Sequence, residues 1–205
     1  MALLTSEMSP GQLRILKAVA TLLENPANRI TVQKIAEAIH VTDGAIYRHY
    51  ASKDEIFDAI ASYMEANLLG PLNSAAKATE NYAKRLELVF DQHLAFLEGH
   101  PGLARLVLGG GSTEAAPLAE RLKLLNAKIR AQVAQLYKMA EGQGVLLPDV
   151  APEHATELYF GLLAGSAVCF SFSLPQVGSA VKWQVLAKST LRGGTEATLS
   201  FNPTA

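Results

Sequence analysis

Apolar residues return every third or fourth position through most of the chain, the spacing of amphipathic helices rather than the alternation of strands. The first run starts at Pro10 behind a Ser9 cap and sets Leu13, Leu16, Ala20 and Leu23 on one face. "ENPANR" interrupts it, with Pro26 as the stop. Thr31 caps a second helix in which Val32, Ile35, Ala36 and Ile39 share a face while Lys34 and Glu37 point away. After a tight turn at "HVT", Asp43 starts a very short third helix that ends by Tyr50. Ser52 and Glu55 form a capping box that opens a fourth helix. Its inward residues are Ile56, Phe57, Ile60, Met64 and Leu68, and "LGPLN" is its predicted end.

Beyond it the pattern predicts a helical bundle. One helix runs from about Ser74 to Glu98, with Leu86, Val89, Phe90, His93 and Leu97 inward, and "LARLVL" adds a short turn or two. A long helix opens at Pro117 and carries Leu118, Leu122, Leu125, Ile129, Val133, Leu136 and Ala140 in one stripe. A helix from Glu153 to about Leu174 and a last one ending near Leu191 complete the set, with "GGGSTEAAP" and "GQGVLLPDVAP" as loops. The expected fold is all-α, divided as residues 1–55, 56–192 and a loose or extended tail, 193–205.

Composition supports helices packed on helices. Of 205 residues 49% are hydrophobic but only 7% aromatic, so Ala and Leu carry the apolar content. The single Cys169 excludes an internal disulfide, and five scattered histidines suggest no metal site and no cofactor. The start, "MALLTSEMSP", has no signal-peptide pattern. The longest apolar run, "LYFGLLAGSAVCFSFSL", is short for a membrane span and dotted with Gly and Ser, so it reads as a buried helix and the protein as cytoplasmic. Net charge is −1, which leaves local patches as the electrostatic route to any polyanion.

The polar run "VTDGAIYRHYASKDEIF" then stands out. Helices joined by a three-residue turn make a helix-turn-helix pattern. Only Ala45, Ile46 and Tyr50 can hold the third helix to its neighbours, which frees Thr42, Asp43, Gly44, Tyr47 and Arg48. Gly44 and Ala45 are small enough for close backbone approach to a groove. Tyr47, His49 and Lys53 can reach flanking phosphates, as can the amides behind Thr31 at the second helix's start. Ordinary surface is the alternative for such residues, with Tyr47 and Tyr50 as packing groups.

The stretch "ITVQKIAEAIHVTDGAIYRHYASKDEIFDAI" resembles the N-terminal domain of the TetR family of bacterial regulators, and "LRILKAVATLLE" resembles that family's first helix. Thr31, Ile35-Ala36, Gly44-Ala45, Tyr47, His49, Tyr50 and Lys53 follow the family pattern in order. The resemblance implies an all-helical homodimer bound to double-stranded DNA at a near-palindromic operator. His40 stands where the family commonly has Gly, and the segment before Leu13 lacks the family's frequent Arg/Lys cluster. "HPGLARLVLGG" and "RLKLLNAKIRAQVAQL" are similar to a nucleoid-occlusion subgroup, which implies a nucleoid-associated protein with a cell-division protein as partner. Polar positions near Asn67 or Arg105 are where such a partner would be sought.

The C-terminal helices admit two readings. Gly161, Ala164, Gly165 and Ala167 allow close helix approach in a symmetric dimer, whose two-fold would space the recognition helices by about one DNA turn, ~34 Å. Phe90, His93, Tyr137, Tyr159, Phe160, Cys169 and Phe170 could line a pocket for a small apolar ligand or could equally be plain core. "GGGSTE" lacks the Lys and preceding strand of a phosphate-binding loop, and no nucleophile-elbow context supports a catalytic triad, so an enzyme is not expected.

Overall fold

The computed structural model describes residues 8–25, 28–107 and 116–193, and within them nine helices and no strand. The N-terminal unit is α1 (Pro10–Leu22), α2 (Val32–Ala38) and α3 (Asp43–Tyr47). Ser9 accepts from the Gln12 amide, and the Gln12 side chain accepts from the Ser9 amide, a complete capping box. Ile15 and Val19 are fully buried and lie between the predicted face positions, so α1 is enclosed more widely than its sequence stripe implied.

The turn between α2 and α3 explains itself in hydrogen bonds. His40 adopts φ 53°, while its amide donates to the Glu37 carbonyl and the Val41 amide to Ala36. That is a Schellman stop with His in the left-handed position that Gly fills most cheaply. Arg14 reaches across from α1 to donate to the Ile39 carbonyl, which ties α1 to the same turn.

α4 (Lys53–Ala78) contradicts the predicted end at "LGPLN". Pro71 sits inside this helix and is buried together with Leu68, Leu72 and Ala75. Proline forfeits one backbone bond, but the apolar face on both sides of it packs against α5 (Tyr82–Gly99), and that burial keeps the helix running. The break falls instead at Thr79, which is extended, before Asn81 caps α5 by accepting from the Lys84 amide. Residues 74–78, predicted to open α5, therefore close α4.

α6 (Pro101–Val107) lies against α1 and α8. Its contact with α1 is close enough that a Cβ on Gly102 would lie 2.1 Å from the Ala20 carbonyl oxygen. α7 (Ala116–Gly142) starts at the predicted place and buries the predicted Leu118, Leu122, Leu125, Ile129, Val133 and Ala140. α8 (Pro152–Ser171) ends before the predicted Leu174, at a second left-handed residue, Ser173. After α9 (Ser179–Thr190) the chain pairs briefly with the loop before α8, through a single bridge of Leu146 with Leu191. Of the predicted "GGGSTEAAP" loop, residues 109–115 lie outside the described residues and Ala116 and Pro117 are already helical in α7, and nearly all of the 193–205 tail lies outside the described residues.

One continuous apolar core runs from α1 to α9, and α4 crosses the expected 55/56 division without interruption. Arg121 of α7 pairs with Asp58 of α4, and Lys128 of α7 with Glu65 of α4 at 3.1 Å. The helix that follows the helix-turn-helix is thus fastened along its length to the bundle. Among the described residues no helix is long and apolar enough to cross a membrane, and no cluster of His, Cys, Asp or Glu could hold a metal ion.

Candidate nucleic-acid interface and bundle cavity

Two side chains anchor the α3 segment: Ile46 and Tyr50 are buried in the common core, and α3 itself packs against α2. Burial, with Glu55 nearby, pushes the Tyr50 phenol up to about 12, so the ring serves as a neutral packing group. Every other position from Thr42 to His49 is exposed except the half-buried Ala45. Thr42 caps α3 through its backbone only, since its hydroxyl makes no capping bond. Tyr47 is 53% exposed, which excludes the packing role open to it in the sequence. Thr42, Asp43, Gly44, Tyr47 and Arg48 therefore stand together on one outward polar face.

Three of the sequence-named residues sit differently from the rest. The His49 ring lies over Gly11 of α1, so close that a Cβ there would be 2.4 Å from its Cε1 and Nε2 atoms. Thr31 is half-buried and spends its hydroxyl oxygen on the Lys34 amide at 3.2 Å. Lys53 is half-buried, its ammonium 5.3 Å from the centre of the Phe57 ring, which holds it at the start of α4 beside α3.

A second feature is a cavity of about 330 Å³ between α4, α5, α7 and α8. Its floor is Leu68, Leu97, Ile129, Leu163 and Ala167, with His93 as the buried polar group. His93 Nε2 lies 2.6 Å from the Leu68 carbonyl oxygen, so that nitrogen carries the proton and donates. Nδ1 is then the acceptor and receives the Tyr159 hydroxyl at 2.9 Å. Burial depresses the His93 pKa to about 4, partly offset by the bond to Leu68, so the ring is neutral near pH 7. The chain Tyr159–His93–Leu68 links α8 through α5 to the backbone of α4, three residues before Pro71.

Of the sequence-named pocket residues, His93 and Phe160 line this cavity. Phe90, Tyr137 and Tyr159 are packed fully in the core instead, where Tyr159 meets Phe90 and Tyr137 edge to face. Cys169 and Phe170 are half-buried away from it, with Lys182 held over the Phe170 ring. Sequence reasoning missed Asn126, Arg130 and Glu157 at the mouth. Arg130 pairs with Glu157, and its guanidinium stacks 4.7 Å from the Phe160 ring centre. A polar residue at a helical stripe's edge is the signal that marks a mouth, but one sequence does not say which edges face each other.

The small side chains of α8 also divide. Gly161, Ala164 and Ala167 line the cavity, Gly161 at its exposed edge, whereas Gly165 is exposed in a stripe with Leu158, Val168 and Phe172.

A five-residue helix with an outward polar face, joined to α2 by a tight left-handed turn, makes a helix-turn-helix, the arrangement that DNA-binding proteins present to a major groove. The comparisons agree and refine the class. Residues 15–60 match the family model for bacterial regulatory proteins of the tetR family. The chain is 34% identical to the nucleoid occlusion factor SlmA of Shewanella baltica over 140 residues, 66% of this chain and 71% of that one. It is 33% identical, with the same coverage, to SlmA of Shewanella sediminis. Among solved structures, the ketosteroid transcriptional regulator KstR2 of Mycobacterium tuberculosis matches with a TM-score of 0.73 at 18% identity, over 90% of this chain and 97% of that one. FadR of Bacillus subtilis in complex with stearoyl-CoA matches at 0.66 and 17% identity, over 85% and 95%. The chain belongs to the TetR family of DNA-binding transcriptional regulators.

Proposed function

We propose that the protein is a homodimeric repressor that grips a near-palindromic operator with α3 and lets go when a small ligand fills the bundle cavity. The observation that carries this reading is the position of the cavity: it is walled by Leu68 of α4, the helix that continues directly from the helix-turn-helix. A ligand that fits only one α4 position shifts the population toward that position, and α3 moves with it. Thr42, Asp43, Gly44 and Ala45 enter the major groove, while Tyr47, Arg48, His49, Lys53 and the amides behind Thr31 meet base edges or phosphates.

The second subunit would cover Leu158 and Val168 on α8 and Phe172 just past its end, together with Val181 and Val185 on α9, all between 42% and 64% exposed in one chain. Exposed apolar side chains in this number favour a partner, and Gly161 and Gly165 with open space around them permit close helix approach. A self-complementary pairing of that face gives the two-fold that a near-palindromic operator needs.

A second reading is favoured by the similarity to the SlmA nucleoid occlusion factors. In it the DNA-bound dimer engages a cell-division protein. Of the polar positions suggested for that contact, Asn67 is half-buried and bonded to the Tyr63 carbonyl at 2.7 Å, and the Arg105 side chain lies outside the described residues. Mapping the bound sites across the native chromosome separates the readings. One or a few sites beside its own gene or a neighbouring metabolic gene support the ligand-released repressor. Dozens of sites spread over the chromosome but absent near the replication terminus support occlusion.

A further inference from the structure

The cavity's lining says what kind of molecule it accepts, and this inference rests on the ligand-released reading above. We propose that the ligand is a small uncharged molecule, mostly hydrocarbon, with one hydroxyl or carbonyl end group. The volume of about 330 Å³ is near the lower limit for small-molecule sites, which excludes full enclosure of a large ligand. The deep wall offers no charge and no spare donor. His93 is neutral, and both of its ring nitrogens are already used, by Leu68 and by Tyr159. A charged group pushed to that depth would lose its hydration and gain nothing in return.

The mouth argues the same way. The charged residues lining the cavity are Arg130 and Glu157, and they are paired with each other. An anion attracted by the guanidinium meets the carboxylate beside it, and a cation meets the reverse. The Phe160 ring under the guanidinium holds the pair in place. A neutral hydroxyl or carbonyl leaves the pair intact and still finds a donor in Arg130 and an acceptor in Glu157. The hydrocarbon then lies on Leu68, Leu97, Ile129 and Leu163.

The test is titration calorimetry on the full-length protein with three probes of equal chain length: 1-octanol, octanoate and octylammonium. The expected result is that octanol binds at least tenfold more tightly than either ion. Ala164→Phe, which places a ring in the cavity from a half-buried position, should remove octanol binding while the protein still melts cooperatively. If octanoate or octylammonium binds as tightly as octanol, the uncharged class is wrong while the cavity survives as a ligand site. If none of the three binds, or if Ala164→Phe leaves octanol binding unchanged, the ligand site itself is wrong.

Discussion

His93 offers a quantitative handle on the bundle because it is a buried histidine with both nitrogens engaged. Its pKa falls from 6.5 to about 4 on folding, chiefly through burial. The sign follows from proton counting. Above pH 6.5 the ring is neutral in both folded and unfolded chains, so its full contribution is present. Below 6.5 the unfolded chain takes up a proton that the folded chain refuses, and stability falls until about pH 4. Each pH unit in that window costs about 1.4 kcal/mol, so by about pH 5 the loss from this one ring is about 2 kcal/mol per protomer. Urea unfolding at fixed protein concentration, at about pH 8 and about pH 5, measures it against His93→Gln. The variant will be weaker at both pH values, by about 1–3 kcal/mol for each polar partner left unpaired, the Leu68 carbonyl or the Tyr159 hydroxyl. Its additional loss on acidification should be about 2 kcal/mol smaller than that of the wild type. Equal acid losses in the two proteins would show that the ring is not held neutral, and the Tyr159–His93–Leu68 connection would fall with it.

Three further perturbations follow from the geometry. Gly102→Ala forces a methyl into the Ala20 carbonyl and should cost about 1–3 kcal/mol in thermal unfolding, with weaker DNA binding because α1 must move off α6; an unchanged melting temperature and DNA affinity would mean the two helices are not in that contact. His40→Gly relieves a left-handed backbone at φ 53° and should stabilise by about 0.5–1 kcal/mol, seen as a rise of about 2 °C in Tm. Leu158→Lys with Val168→Lys should convert a dimer to monomers in analytical ultracentrifugation; a dimer of undiminished affinity would move the subunit interface elsewhere.

The legible parts of this molecule are those governed by local chemistry. Ser9, Thr31 and Ser52 announce helix starts because a hydroxyl accepting the amide three residues on is a short-range event, and each does so here. The short polar α3 was legible for the same reason, since its two anchors and its exposed face lie within nine residues of sequence. Pro71 was misleading because its cost is local while the burial that outweighs it comes from α5, brought alongside only by folding. The cavity was much less legible, since of the seven residues named for it only His93 and Phe160 line it. A helical stripe shows that Phe90 and His93 face inward, but whether inward means packed core or cavity wall depends on how neighbouring helices rotate against each other. Glu157 and Arg130, separated by the loop between α7 and α8, join at the mouth only in three dimensions.

The most direct test of the central claim, that α3 carries DNA recognition, is a salt-dependent binding curve. Take a chromosomal fragment recovered with the wild-type protein and compare wild type, Thr42→Ala, and Tyr47→Ala combined with Lys53→Ala by fluorescence anisotropy. The Tyr47/Lys53 variant should bind every fragment more weakly, with a shallower dependence on salt. Thr42→Ala should instead change the rank order of fragments. Wild-type affinity, salt slope and fragment preference in both variants would contradict the account, because α3 would then not be the surface that meets DNA.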